Sequence, residues 1–280
     1  MSLSTGITTT EISELLDALG IDELPMALYF TDTQPDIGFH PQDNPSLPTA
    51  EQERRGEVDW QKTYDKWSCV MAHITTARKK RSVAWFSPEN FGCLGGATYL
   101  GYLRSGLQRI CQYVSTGIPG QSDGERYLDS PEAMRRFIDA AEPPEPPARY
   151  CVVKPIENFL DKKEIPLVVI FHARPESISG LHVLSSFVTG DPEIVAAPFG
   201  AGCGHIIGWP LRYIANGKPR AVLGGWDPSA RKFMRTDEMS FAVPFEMFEQ
   251  MVSRWRESFL TTHEWERMKK RIARSKAAWI

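Results

Sequence analysis

Hydrophobic residues recur along the chain at two spacings, one helical and one strand-like. Near the start, Ile12, Leu15, Leu16 and Leu19 fall on one helical face, with Thr8 and Glu11 in a capping-box pattern ahead of them and Gly20 behind. This predicts an amphipathic helix that stops at the glycine. Met26 to Phe30 is a short apolar run between Pro25 and Asp32 and predicts a strand. Residues 33–66 show no clear period and hold several prolines, so they read as a long functional loop or a surface excursion. From Trp67 the helical spacing returns at Val70, Ile74 and Ala77, and Val83 to Phe86 follows as a strand.

The segment FGCLGGATYLG, residues 91–101, predicts a tight turn leading into a helix. Ser130 and Pro131 announce the next helix, whose apolar stripe is Ala133, Phe137, Ile138 and Ala141. Pro143, Pro144, Pro146 and Pro147 then form a stiff connector. Tyr150 to Ile156 and Leu167 to Phe171 read as buried strands, the second an unbroken apolar run typical of a central strand. Ser177 to Val188 reads as a helix closed by Gly190, and Glu193 to Ala197, Ala221 to Leu223 and Met239 to Val243 as later strands. Pro244 to Trp255 is helical, and a last helix starts near Thr261 or Thr262. The order lacks a regular βαβ rhythm, which points to a layered α+β or mixed-sheet α/β fold. We expect a single composite domain over 1–280, with 143–147 as the candidate internal boundary and 257–280 as a C-terminal helical extension.

With 42% apolar and 24% charged residues the chain has a globular composition. A formal net charge of -3 supplies no field that would draw nucleic acid or anionic lipid, so neither is expected as a partner. The basic run Arg78 to Arg81 closes a predicted helix, where its cations would offset the helix dipole from a solvated face. No apolar stretch approaches the roughly 20 residues that cross a bilayer. Met1 to Glu11 is polar where a signal peptide would be greasy, so a cytoplasmic location is expected. The five cysteines are then expected to be reduced, and to serve packing, metal ligation or catalysis.

Cys111 lies in a helical run and Cys151 in a strand-like one, where a thiol behaves as a small hydrophobe. Cys93 and Cys203 stand instead in glycine-bounded turns, Gly92-Cys93-Leu94-Gly95-Gly96 and Gly202-Cys203-Gly204, at the apparent start of a helix. Cys69 also heads a predicted helix. A helix N-terminus favours the thiolate, and glycine lets backbone approach a ligand closely. Three thiolates meeting at one point suit a four-iron four-sulfur (4Fe-4S) iron-sulfur cluster with one iron open, or zinc with a fourth ligand. They would need sulfurs within about 6–7 Å of one another, given metal–sulfur bonds of roughly 2.3 Å. His205 is the candidate fourth ligand or proton donor, and the amides of Gly95 and Gly96 are candidate cofactor contacts.

Two other readings compete. One is a metal-free cysteine enzyme in which a thiolate at Cys93 or Cys203 attacks and His205 is the base. The other is a non-catalytic small-ligand binding or assembly module in which the thiols only pack. The sequence has no P-loop, dinucleotide, Gly-x-Ser-x-Gly or zincin pattern. The small-molecule substrate, any redox partner and the oligomeric state stay open.

Several segments together carry a family resemblance: LPMALYFTD at 24–32, Cys69 heading its helix, FGCLGGATYLG with its Cys-x-Gly-Gly-x-x-x-Leu-Gly pattern, and the glycine-flanked Cys203. On these the chain resembles the prokaryotic domain-of-unknown-function family 169 over about residues 10–255. It departs around 40–66 and at the C-terminal helix, which look like additions. The resemblance implies no reaction and no catalytic residue. It does imply that Cys69, Cys93 and Cys203 stand apart from the other two cysteines.

Overall fold

The computed structural model describes residues 6–44, 46–104, 106–141, 143–160 and 164–278. Helix α1 (Thr9–Leu19) carries the expected capping box, and Gly20 closes it in a left-handed conformation at φ 70°. The other elements follow as β1 (Met26–Thr31), α2 (Ala50–Arg54), α3 (Trp60–Tyr64), α4 (Val70–Lys79), β2 (Ala84–Phe86), α5 (Leu94–Tyr99) and α6 (Gln108–Val114). After α7 (Pro131–Ala141) come β3 (Tyr150–Pro155), α8 (Glu157–Leu160), β4 (Val168–Ala173), α9 (Pro175–Thr189) and β5 (Val195–Ala196). A wide π turn (Gly204–Gly208) runs into α10 (Trp209–Ala215), followed by β6 (Ala221–Gly224), β7 (Met239–Pro244), α11 (Phe245–Arg254) and α12 (His263–Ala278).

The strands form one seven-stranded sheet in the order β2-β3-β1-β4-β7-β6-β5. Every neighbouring pair is antiparallel except β5 with β6. The apolar run of β4 does sit at the centre. Strand β3, which follows the proline connector, lies between β2 and β1, which precede it, so both sides of the connector share one sheet.

Strand alternation divides the core between two faces. Ala27, Val152, Val169, Phe171, Phe241 and Val243 point to one side, where α1, α9, α11 and Trp265 of α12 cover them. Met26, Leu28, Cys151, Val153, Ile170 and Ala242 point to the other, against α4, the π turn and α10. The result is a layered mixed α+β fold, helices on both faces of a mixed sheet. Among the described residues no helix is long and apolar enough to cross a membrane.

Two local expectations are revised. Residues 33–66 are not a bare loop: Phe39 bridges to Ala84, and α2 and α3 break up the rest. The run Arg78 to Arg81 does not lie wholly on a solvated face. Arg78 turns inward and donates to both oxygens of Glu238, at 3.0 and 2.8 Å, and to Glu23 at 2.9 and 2.7 Å. Arg81 bonds Glu157. The helix-end position made the cations look like dipole partners; the acids they meet come from elsewhere in the chain.

Burial alone would raise the Glu238 carboxyl, but the Arg78 bonds and charge, with help from Arg235, pull it down to about 2. Its contribution to stability is therefore present above the ordinary carboxylate value of 4.5 and is lost as pH falls toward 2. Arg78→Met, which removes the buried cation from a carboxylate only 4% exposed and leaves it Arg235 alone, is expected to cost about 1.5–3 kcal/mol in urea denaturation at neutral pH. The same variant should show a flatter stability profile on acidification, and an unchanged midpoint would contradict the assignment.

Candidate functional site

Three glycine-rich or helix-starting segments meet on the face of the sheet that carries α4, and the contact that joins them is steric. The Tyr99 ring, at the end of α5, lies where side chains at Gly204 and Gly208 would stand. A Cβ on either glycine would come within 2.6 Å of the ring. Tyr99 Oη accepts from the Ala201 amide at 3.4 Å. Gly202 leaves similar room: a Cβ there would meet Ala230 at 2.7 Å and Met71, in the first turn of α4, at 3.1 Å. The glycines flanking Cys203 thus let this segment close against both α5 and α4.

The consequence is that Cys69, Cys93 and Cys203 all line one cavity of about 440 Å³. Cys69 and Cys93 hold the N-cap positions of α4 and α5, and Cys203 precedes the π turn. Cys93 Sγ acts as the cap of its own helix, accepting from the Gly96 amide at 3.2 Å. Gly95 and Gly96 line the cavity as well, but the Gly96 amide is already committed to the sulfur. Cys111 and Cys151 are fully buried elsewhere, Cys111 against Met134 and Ile138, Cys151 in the sheet core.

All three cavity thiols are held neutral. Burial raises Cys69, against the pull of the Ala72 and Met71 amides. Burial pushes Cys93 up to about 11, outweighing the Gly96 amide, with Cys69 adding to the rise. Cys203 is raised well above its ordinary value by burial and then by the charges of Cys93 and Cys69. The thiols therefore feel one another. Among the described residues, however, no group of three or more His, Cys, Asp or Glu stands at metal-holding spacing. The cysteines share a cavity without forming a closed ligand set.

His205 does not join them. It is fully buried and absent from the cavity wall. Its Nδ1 accepts from the Gly225 amide at 3.4 Å, which leaves Nε2 to donate to the Pro198 carbonyl at 3.1 Å. Gly224 makes room for the ring, since a Cβ there would lie 2.4 Å from the histidine. Burial lowers its pKa. The side chain ties the Cys203 segment to the end of β6 as a neutral, backbone-bonded spacer.

The cavity contains acids that sequence pattern did not single out. Asp227 accepts from the Gly202 amide at 2.9 Å and from the Ser229 amide and hydroxyl, which fixes the turn beside Cys203. Glu125 comes from the loop between α6 and α7. That loop is built tightly: Gly117 and Gly124 pack back to back at φ 89° and 74°, where a Cβ on Gly124 would lie 2.6 Å from the Tyr113 carbonyl. Burial, and then the charge of Asp227, raise Glu125 to about 7. The glycine density of this loop is the only local signal that could have marked it as ordered.

A mixed-sheet layered protein with a cysteine-lined cavity on one face is the class that fold and site define. The chain belongs to domain-of-unknown-function family 169, described as Uncharacterised ArCR, whose profile matches residues 14–254. That span contains all three cysteines and the whole cavity wall and ends before α12. No curated protein and no solved structure matches the chain.

Gly204→Ala is expected to cost about 1–3 kcal/mol, the usual range for overpacking, measured by thermal or urea unfolding; a neutral substitution would mean that Tyr99 is free to move. For Glu125 the raised pKa means that stability present at acid pH is lost as pH rises from about 4.5 through about 7. Glu125→Gln should therefore gain in melting temperature relative to the parent between pH 5 and pH 8. A difference that stays constant across that range would place the carboxyl in open solvent.

Proposed function

We propose that the protein is a cytoplasmic redox or lyase-type enzyme, or a sensor, that holds a thiolate-ligated centre through Cys69, Cys93 and Cys203 beside a small-molecule cavity. An iron-sulfur cluster of the 4Fe-4S kind fits the reading best, with zinc as the other metal. The observation that carries it is the convergence of three thiols, drawn from three distant segments, on one cavity with backbone amides directed at them. The donor chemistry fits a soft or borderline metal. Three neighbouring thiols in an apolar wall do not ionise together unaided, whereas a multiply charged centre would reverse that balance.

When bound, such a centre supplies Lewis-acid or electron-transfer chemistry at an open coordination position. The chain's own residues do the rest. The Gly96, Ala72 and Met71 amides offset sulfur charge, Tyr99 and the glycines hold the three segments in register, and Glu125 keeps a proton facing the cavity near neutral pH. Five free cysteines suit a reducing compartment. A metal-free thiol nucleophile is less favoured, because burial opposes the thiolate and His205 is turned away from the cavity.

The test is the iron, zinc and acid-labile sulfide content of protein purified without oxygen. Near-stoichiometric metal is expected, lost in Cys69→Ala, Cys93→Ala or Cys203→Ala and retained in Cys111→Ala and Cys151→Ala. A preparation free of iron, zinc and sulfide overturns the proposal.

A further inference from the structure

The cavity is larger than three sulfurs and a metal would need. At about 440 Å³ it falls in the size range of sites for small organic molecules. Trp67, Tyr113 and Phe199 line it, yet expose 38%, 41% and 40% of their surface. Aromatic area of this kind, gathered in a concavity, is surface that a ligand would cover.

Arg109 is the one cationic side chain on the wall among the described residues. Its guanidinium lies over the Trp60 ring, 4.7 Å from the centroid, and Nε donates to the Tyr64 hydroxyl at 2.7 Å. One terminal nitrogen donates to Gln121. The nearby Glu53 carboxylate is spent on the Gln108 and Arg109 backbone amides, at 2.6 and 2.8 Å, rather than on the guanidinium. The other terminal nitrogen, Nη1, has no acceptor among the described residues. A guanidinium fixed by a stack and two hydrogen bonds, with one edge left over, is arranged to meet a carboxylate.

Glu125 supplies the other polar group. Its carboxyl has no hydrogen-bond partner among the described residues, and Asp227, Tyr99, Tyr113 and Tyr127 are the titratable groups that face it. In its protonated form it donates a hydrogen bond to an oxygen, or hands the proton over.

We infer that the cavity binds a small aromatic carboxylic acid, its carboxylate on Arg109, its ring against Tyr113, Phe137 and Phe199, and a second oxygen function facing Glu125. This names the substrate class of the cavity used in the proposed function, and it stands without the metal. The two readings fail separately: metal and sulfide content decides the first, ligand binding to the protein as purified the second.

The probes are para-hydroxyphenylacetate, its uncharged amide, and tyramine, titrated by calorimetry or by the fluorescence of Trp67 and its neighbours. The acid is expected to bind saturably, and the amide at least about tenfold more weakly, as the loss of a charge-assisted hydrogen bond implies. Arg109→Ala should weaken the acid by a similar factor and leave the amide unchanged. Arg109→Lys, which keeps the charge and the aliphatic stem, should fall between, and melting curves of both variants establish that they fold. Absence of saturable binding by the acid, equal binding of acid and amide, or tighter binding of tyramine each overturns the inference.

Discussion

The Tyr99 ring pressed against Gly204 and Gly208 is the contact on which the site depends. An aromatic side chain at the end of α5 occupies volume that only glycine leaves open, so α5 and the π turn approach at backbone distance. Cys93 heads the helix that carries this ring, and Cys203 precedes the turn that receives it. Once the two are seated, Gly202 meets Met71 and Ala230, and α4 brings in Cys69 from the third side. Close packing of this kind has few alternatives: a methyl group on either glycine has nowhere to go in an interior packed to crystal density. The π turn, one residue wider than an α-helical turn, belongs to the same arrangement, and such wide turns recur at functional sites.

The electrostatics of the Arg78 network and of the cavity are solved in opposite ways. Around Arg78 the buried charges are fully paired, with Glu238 and Glu23 as partners, so the carboxylate is held ionised and the network acts as structure. In the cavity, burial is answered by protonation. Cys93, Cys203 and Glu125 all rise through burial first, and then through the neighbouring thiols or Asp227. Groups kept neutral at an energetic cost are groups whose state a bound partner can change, which is why perturbed sites mark function more often than paired ones do. Arg109, the cation on this wall among the described residues, is engaged by Tyr64, Gln121 and the Trp60 ring.

Much of the fold was legible because it depends on local rules. The capping box of Thr8 and Glu11, the stop at Gly20, the unbroken apolar run of β4 and the Ser130-Pro131 helix start all appear where short-range chemistry places them. The same reading separated Cys69, Cys93 and Cys203, which line the cavity, from Cys111 and Cys151, which pack. It misplaced Arg78, because a cation at a helix end looks the same in sequence whether it faces water or a distant acid. It also gave His205 a chemical role, since a histidine two residues from a cysteine shows nothing of the carbonyl and amide that use up its ring.

The sequence by itself determined most of the longer elements, the layered class and which cysteines stand at helix starts, since periodicity, capping and glycine conformation act over a few residues. Only the tertiary structure decided that three such starts share one cavity, that Arg109 and Glu125 face it, and that His205 does not. Those facts depend on strand order, where β3 crosses between β2 and β1, and on volumes matched across more than a hundred residues of chain. Non-local packing has no periodic trace: Glu125 sits in a polar loop like any other until Gly117 and Gly124 fold that loop onto the cavity.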